Sequence, residues 1–112
     1  MLYENSYLDA FSRALRGDED ALRDLLDVEK IPRMFEEDCR KLAEMLRSGR
    51  AEYDEVRRAL NLLKSYVVSQ LILHFEKAKE FAKSRGIDVS AELDPALVNE
   101  IALMINRFEK EL

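Results

Sequence analysis

From Glu52 to Arg85 the chain runs without a single Gly or Pro. Pro fixes φ and removes a backbone donor, and Gly is the usual residue where the chain must turn sharply. A stretch lacking both reads as uninterrupted helix. Val56, Leu60, Leu63, Val67, Leu71, Phe75, Ala78 and Ala82 recur within it at steps of three and four, the spacing of one helix face. About 33 residues of helix would reach about 50 Å at 1.5 Å per residue. The extra four-residue step near Leu71 acts as a stutter in the seam, so a local straightening or bend is expected, with a kink or break near Ser65–Ser69.

The middle of this stretch, SYVVSQLILHF at residues 65–75, is apolar on every side. Val67, Val68 and Ile72 are β-branched and would suit a strand. Both flanks, EYDEVRRALNLLK and EKAKEFAKSR, read as helix with no turn signal between them. On a helix, Val67, Leu71, Phe75 and Ala78 point one way, while Val68, Ile72 and Leu73 point elsewhere. A helix that is apolar all round must be surrounded. Either the shorter helices do this within one chain, or a second copy covers part of the segment. In the second case the candidate self-association residues are Tyr66, Val68, Ile72, Leu73 and Phe75. Such an interface would be two-fold, the commonest closed symmetry.

The rest of the chain is striped. Leu8, Phe11 and Leu15 mark a first helix over about 6–16, closed by Gly17. Asp18 caps a second over 18–27, with Leu22, Leu25 and Leu26 on its apolar face. Pro32 opens a third, in which Phe35, Cys39, Leu42, Ala43 and Leu46 face inward before Gly49. Asp94 and Pro95 start the last helix, with Leu97, Ile101, Met104, Ile105 and Phe108 as its stripe. The expectation is an all-α single-domain bundle over 1–112, of four to five helices around one long, kinkable central helix.

Composition agrees with that class. Only three Gly and two Pro are present among 112 residues, too few for the many turns of a strand-rich fold. Cys39 is the sole cysteine, so no internal disulfide can form. The leading MLYENSYLDAF has an early Glu and Asp and no basic region, unlike a secretory leader. No apolar run reaches the ~18 residues of a membrane span, so no membrane association and a cytoplasmic location are expected. Abundant Glu, Lys and Arg with little Gln or Cys would suit a thermophile. A net charge of −5 argues against nucleic-acid binding by the surface as a whole.

Several residues are candidates for chemistry. His74 is the only histidine, and it sits between Leu73 and Phe75. A carboxylate-bridged metal bundle needs a Glu three residues before its His, where this chain has Leu71. Cys39 falls on a buried helix face with no local base to activate it. The clusters Asp18-Glu19-Asp20, Glu36-Glu37-Asp38 and Glu52-Asp54-Glu55 stand near helix starts, where the helix dipole favours acids without any metal. Helical nucleotide pyrophosphohydrolases carry E-E-x-x-E and E-x-x-D motifs. Here Glu36-Glu37 is followed by Arg40 where the third acid should be. The bases Lys77, Lys79, Lys83 and Arg85 gather at the end of the long segment and form a weak candidate phosphate-binding patch, diluted by Glu76 and Glu80. No cofactor, catalytic residue or metal ligand is expected.

The order IPRMFEEDCRKLAEML, EVRRALNLLKSYVVSQLILHFEKAKEFA and LDPALVNEIALMINRFEKEL resembles the helical domain of archaeal GINS replication subunits. Those proteins also pair a helix after a proline with a long helix and a final amphipathic one. The resemblance covers about four-fifths of the chain and is one of pattern, without the family's Arg-rich stretch or its small strand domain. It implies a subunit that scaffolds replication factors. The residues themselves point to a non-catalytic interaction or scaffold module that self-associates through helix packing, with the replication accessory role and a metal-dependent nucleotide hydrolase as alternatives.

Overall fold

Gln70 divides the long apolar segment in two. The computed structural model describes residues 5–112, and the reading of the first four residues as unlike a leader lies outside them. Six helices follow one another: α1 Ser6–Leu15, α2 Glu19–Leu25, α3 Ile31–Arg47, α4 Tyr53–Ser69, α5 Leu71–Ser84 and α6 Pro95–Lys110. No strand occurs among the described residues. The count exceeds the expected four to five because the long segment is two helices. Its break falls one residue past the anticipated Ser65–Ser69 window.

At Gln70 the backbone departs from helical values, with φ −123° and ψ −27°. The hydrogen-bond ladder still closes on both sides: Gln70 N–H donates to the Tyr66 carbonyl at 2.8 Å, and His74 N–H to the Gln70 carbonyl at 2.9 Å. One residue earlier, the Ser69 hydroxyl donates to the Ser65 carbonyl at 2.6 Å, a back-bond that commonly bends helices. Seam geometry supplies the reason for a bend here. Each four-residue step rotates the apolar face by about 40° at about 100° per residue. The steps Leu63–Val67–Leu71–Phe75 therefore carry it round by about 120°. Accordingly α4 packs on α3 and α6, whereas α5 turns its buried face to α1, α2 and α6.

Local signals fix the ends. Asn5 caps α1, its side chain accepting from Tyr7 N and Leu8 N. Asp18 caps α2 and Asp94 caps α6 in the same way, while Glu52 and Glu55 form a reciprocal capping box at α4. Gly17 sits at φ 108° after α1, a left-handed conformation that side chains other than Gly rarely adopt.

The core is one continuous cluster. Tyr7, Phe35, Leu63, Leu71, Phe75 and Ile105 are among its fully buried members. The Tyr7 hydroxyl donates to the Leu25 carbonyl at 2.9 Å, so the phenol is satisfied at the end of α2. Burial holds its pKa well above the usual tyrosine range, so it stays neutral. Asp38 is the one buried charged side chain among the described residues. It accepts from Ser6 N–H at 3.0 Å and from the Ser6 hydroxyl, which pins the first turn of α1 to α3. A carboxylate there also meets the positive end of the α1 dipole. Asp38→Ala leaves both Ser6 donors without this acceptor. It is expected to lower stability by about 2–3 kcal/mol, with the urea m-value unchanged in equilibrium unfolding.

Candidate interaction surface

The bend leaves one side of α4–α5 uncovered. Leu62, Val68, Ile72 and Leu73 are exposed there to 63%, 66%, 39% and 50%. Asn61, Ser65, Ser69 and Gln70 are exposed between them. From Leu60 to Phe75 the one Lys or Arg is Lys64, and there is no Asp or Glu. Lys64 is turned onto α6, where its Nζ donates to Asn106 Oδ1 at 2.9 Å. In a chain that is 37% charged, this face carries apolar and neutral polar groups, and its one charged side chain is the half-buried Lys64. A hollow of about 320 Å³ opens on it, lined by Lys64, Ser65, Val68 and Ser69.

The five sequence candidates for self-association do not share this face. Val68, Ile72 and Leu73 are exposed on it. Phe75 is fully buried and belongs to the core, because the drifting seam carries it inward with Leu71. Tyr66 is half-buried and also faces inward. Its ring packs on Phe35 with centroids 6.2 Å apart, and its hydroxyl shares a 2.8 Å hydrogen bond with His74 Nδ1. Leu62 was missed. The signal was present, since Leu63 on the seam forces its neighbour outward.

His74 closes a chain of rings across the break. It stacks on Phe11 of α1 at 4.9 Å and leans on Tyr66 at 5.5 Å, and Phe35 in turn stacks on Tyr7 at 6.1 Å. Burial, then the nearby Lys77 ammonium, lowers the His74 pKa below the ordinary histidine value. With the folded-state pKa depressed, the unfolded chain binds the proton more readily. The contribution of His74 to stability is therefore complete above about pH 6.5 and is lost as pH falls toward the folded-state value. The melting temperature should fall on acidification through this range more steeply for the wild type than for His74→Gln. Equal slopes would show that His74 does not carry the effect.

The basic residues are not gathered. Lys79 is paired with Glu92 at 2.7 Å, and its side chain is only 16% exposed. The Arg85 guanidinium lies over the Phe81 ring at 4.6 Å, and Lys77 stands exposed on another turn. Lys79 and Lys83 do line a hollow of about 280 Å³, but Glu76, Glu80 and Asp88 line it with them. Three carboxylates beside two ammonium groups do not attract phosphate. Cys39 is buried, and burial followed by Asp38 and Glu36 pushes its thiol up to about 12, so it is not a thiolate at neutral pH. Among the described residues, no three His, Cys, Asp or Glu side chains are placed to hold a metal ion. No described helix is long and apolar enough to cross a membrane.

Comparison with known proteins adds a family. A family model described as AF0941-like matches residues 1–112. The chain is 48% identical over 114 residues to an "Uncharacterized protein" of Archaeoglobus fulgidus, with 100% of both covered. A solved structure described as "Predicted coding region AF0941 from Archaeoglobus fulgidus" is 48% identical. It superposes with a TM-score of 0.92 over 100% of this chain and 98% of that one. These names carry no activity.

Proposed function

Since the chain belongs to the AF0941-like family, and a solved structure 48% identical to it shares its all-α fold, we propose that it is a non-catalytic interaction module that self-associates by helix packing. One observation carries this reading: the exposed face of Leu62, Val68, Ile72 and Leu73, which holds no acid and, of the bases, only the half-buried Lys64. Exposed apolar residues scattered singly are ordinary on a soluble protein, whereas a contiguous patch marks a contact surface. Depletion of charge at the patch centre is the compositional mark of an interface core. Burial of the four side chains supplies the driving force, and the charged turns on either side, Asp54 to Arg58 and Glu76 to Glu80, set the limits of the contact.

The chemistry of an enzyme has little support. The acids at 18–20 and 52–55 stand at helix starts, Glu36-Glu37-Asp38 lies beyond the first turn of α3 with Asp38 bonded to Ser6, His74 is engaged by Tyr66 and Phe11, and the Cys39 thiol is buried and neutral. The test is the mass of the chain by light scattering over a dilution series. A mass of twice the 13.1 kDa chain at micromolar concentration, falling toward one chain on dilution, is expected. A constant single-chain mass up to millimolar concentration would contradict the reading.

A further inference from the structure

We propose that Tyr66 and His74 form an acid-released latch across the break at Gln70. The neutral imidazole accepts the Tyr66 proton at Nδ1 and fixes α5 against α4; protonation removes that acceptor and frees the first turns of α5. The latch is independent of what covers the exposed side of α4–α5.

The bond exists because the helix is broken. On a straight helix, residues eight apart are separated by about 12 Å of rise and about 80° of rotation. Side chains there lean toward the N-terminus, so Tyr66 would lean away from His74. Tyr66 Oη and His74 Nδ1 nevertheless lie 2.8 Å apart, with Gln70 and its non-helical backbone midway between them. Each end is anchored on another helix. Phe11 of α1 stacks on the imidazole at 4.9 Å, and Phe35 of α3 packs on Tyr66 at 6.2 Å. The bond therefore holds the angle of the break.

Counting protons gives the direction of the switch. Tyr66 is half-buried, and His74 is the partner of its hydroxyl. A neutral imidazole offers one acceptor nitrogen and an imidazolium offers none. With His74 charged, the Tyr66 oxygen can still accept from Nδ1–H, but its own hydrogen then has no acceptor and must reach water. The surroundings supply no counter-charge. Besides Phe11, α1 brings Tyr7, whose hydroxyl is committed to the Leu25 carbonyl. Leu22 and Leu25 of α2 and Ile101 and Ile105 of α6 are the inward side chains of those helices. The charge that bears on the imidazole is Lys77 on its own helix, of like sign. Attraction of an imidazolium to the Phe11 ring limits the release but gives the Tyr66 hydrogen no acceptor.

Amide exchange followed by NMR against pH tests the latch, with Tyr66→Phe as the variant. Phe keeps the ring and removes only the hydroxyl. At neutral pH the ring nitrogen shifts of the wild type should place the His74 proton on Nε2. From about pH 7.5 to about pH 5, protection of the amides from Leu71 to His74, corrected for intrinsic exchange, should fall several-fold. The ceiling is about tenfold for each unit by which folding depresses the His74 pKa. Leu42 and Ile105, in α3 and α6, should keep their protection, and Tyr66→Phe should lose most of the pH dependence. A proton on Nδ1 at neutral pH, an equal pH dependence in Tyr66→Phe, or a loss spread evenly to Leu42 and Ile105 would each overturn the latch. If the variant does not fold, the tautomer and the locality of the loss in the wild type decide.

Discussion

Phe75→Ala is expected to cost about 3–5 kcal/mol of folding stability, the penalty for emptying an aromatic site in a packed core. The ring is fully buried in the first turns of α5, where the drifting seam turns from α6 toward α1 and α2. A domain of this size has about 5–15 kcal/mol in all, and the variant would retain only a fraction of it. Leu73→Ala removes a side chain of similar chemistry two residues earlier, but one that is half exposed. It should cost no more than about 1 kcal/mol. Urea unfolding of the two variants side by side reads the difference. Comparable losses would mean that the sides of α5 are not divided between core and surface as described.

Ile72→Glu should turn a dimer into a folded monomer. Carboxylates forced into the apolar contact, each stripped of water, should raise the dissociation constant by roughly 100-fold or more. Ile72 is 39% exposed in the single chain, so the Glu can reach water once the copies part, and helical circular dichroism should be retained. Tyr53→Glu is the matched control. Tyr53 is 49% exposed at the far end of α4, outside the Leu62–Leu73 strip, and its replacement should leave the mass unchanged. If Ile72→Glu keeps the dimer while Tyr53→Glu breaks it, the contact lies at the other end of the helix.

Why the sequence was readable in some places and not in others follows from what each signal depends on. Caps and stops are local. Asp18, Asp94, Pro32, Gly17, Gly49 and Gly86 mark helix ends through groups within a few residues, and the helices begin and end close to them. Apolar stripes on most of the shorter helices are also local, and Leu22, Phe35, Leu42, Ile101 and Ile105 are buried as the spacing indicates; on α1 the expected stripe fails, since Leu8 and Leu15 are exposed while Tyr7, Ala10 and Ala14 form the buried face. The break at Gln70 was legible as a stutter, but its position depended on which neighbours each half meets. Those neighbours, α3 and α6 for α4 and α1 and α2 for α5, are set by tertiary packing.

The same limit governs the surface. Counting apolar residues in SYVVSQLILHF could not separate Phe75, which the seam carries inward, from Leu73, which it leaves outside. Tyr66 looked like an anchor because its partners, Phe35 and His74, lie on other elements or beyond the break. The basic cluster looked cationic in sequence, yet Glu92 reaches Lys79 from the connection before α6, thirteen residues on. What survives from the sequence is the lack of any acid, and of any Lys or Arg but Lys64, between Leu60 and Phe75, and this property distinguishes the exposed face in the folded chain.

The most direct measurement is an isotope-filtered NOE experiment on an equal mixture of labelled and unlabelled protein, which reports only contacts between copies. Contacts from the methyl groups of Leu62, Val68, Ile72 and Leu73 to the unlabelled copy are predicted. Contacts between copies that arise only from Leu103, Leu8 or Leu15, or none at concentrations where the mass is that of one chain, would contradict the account.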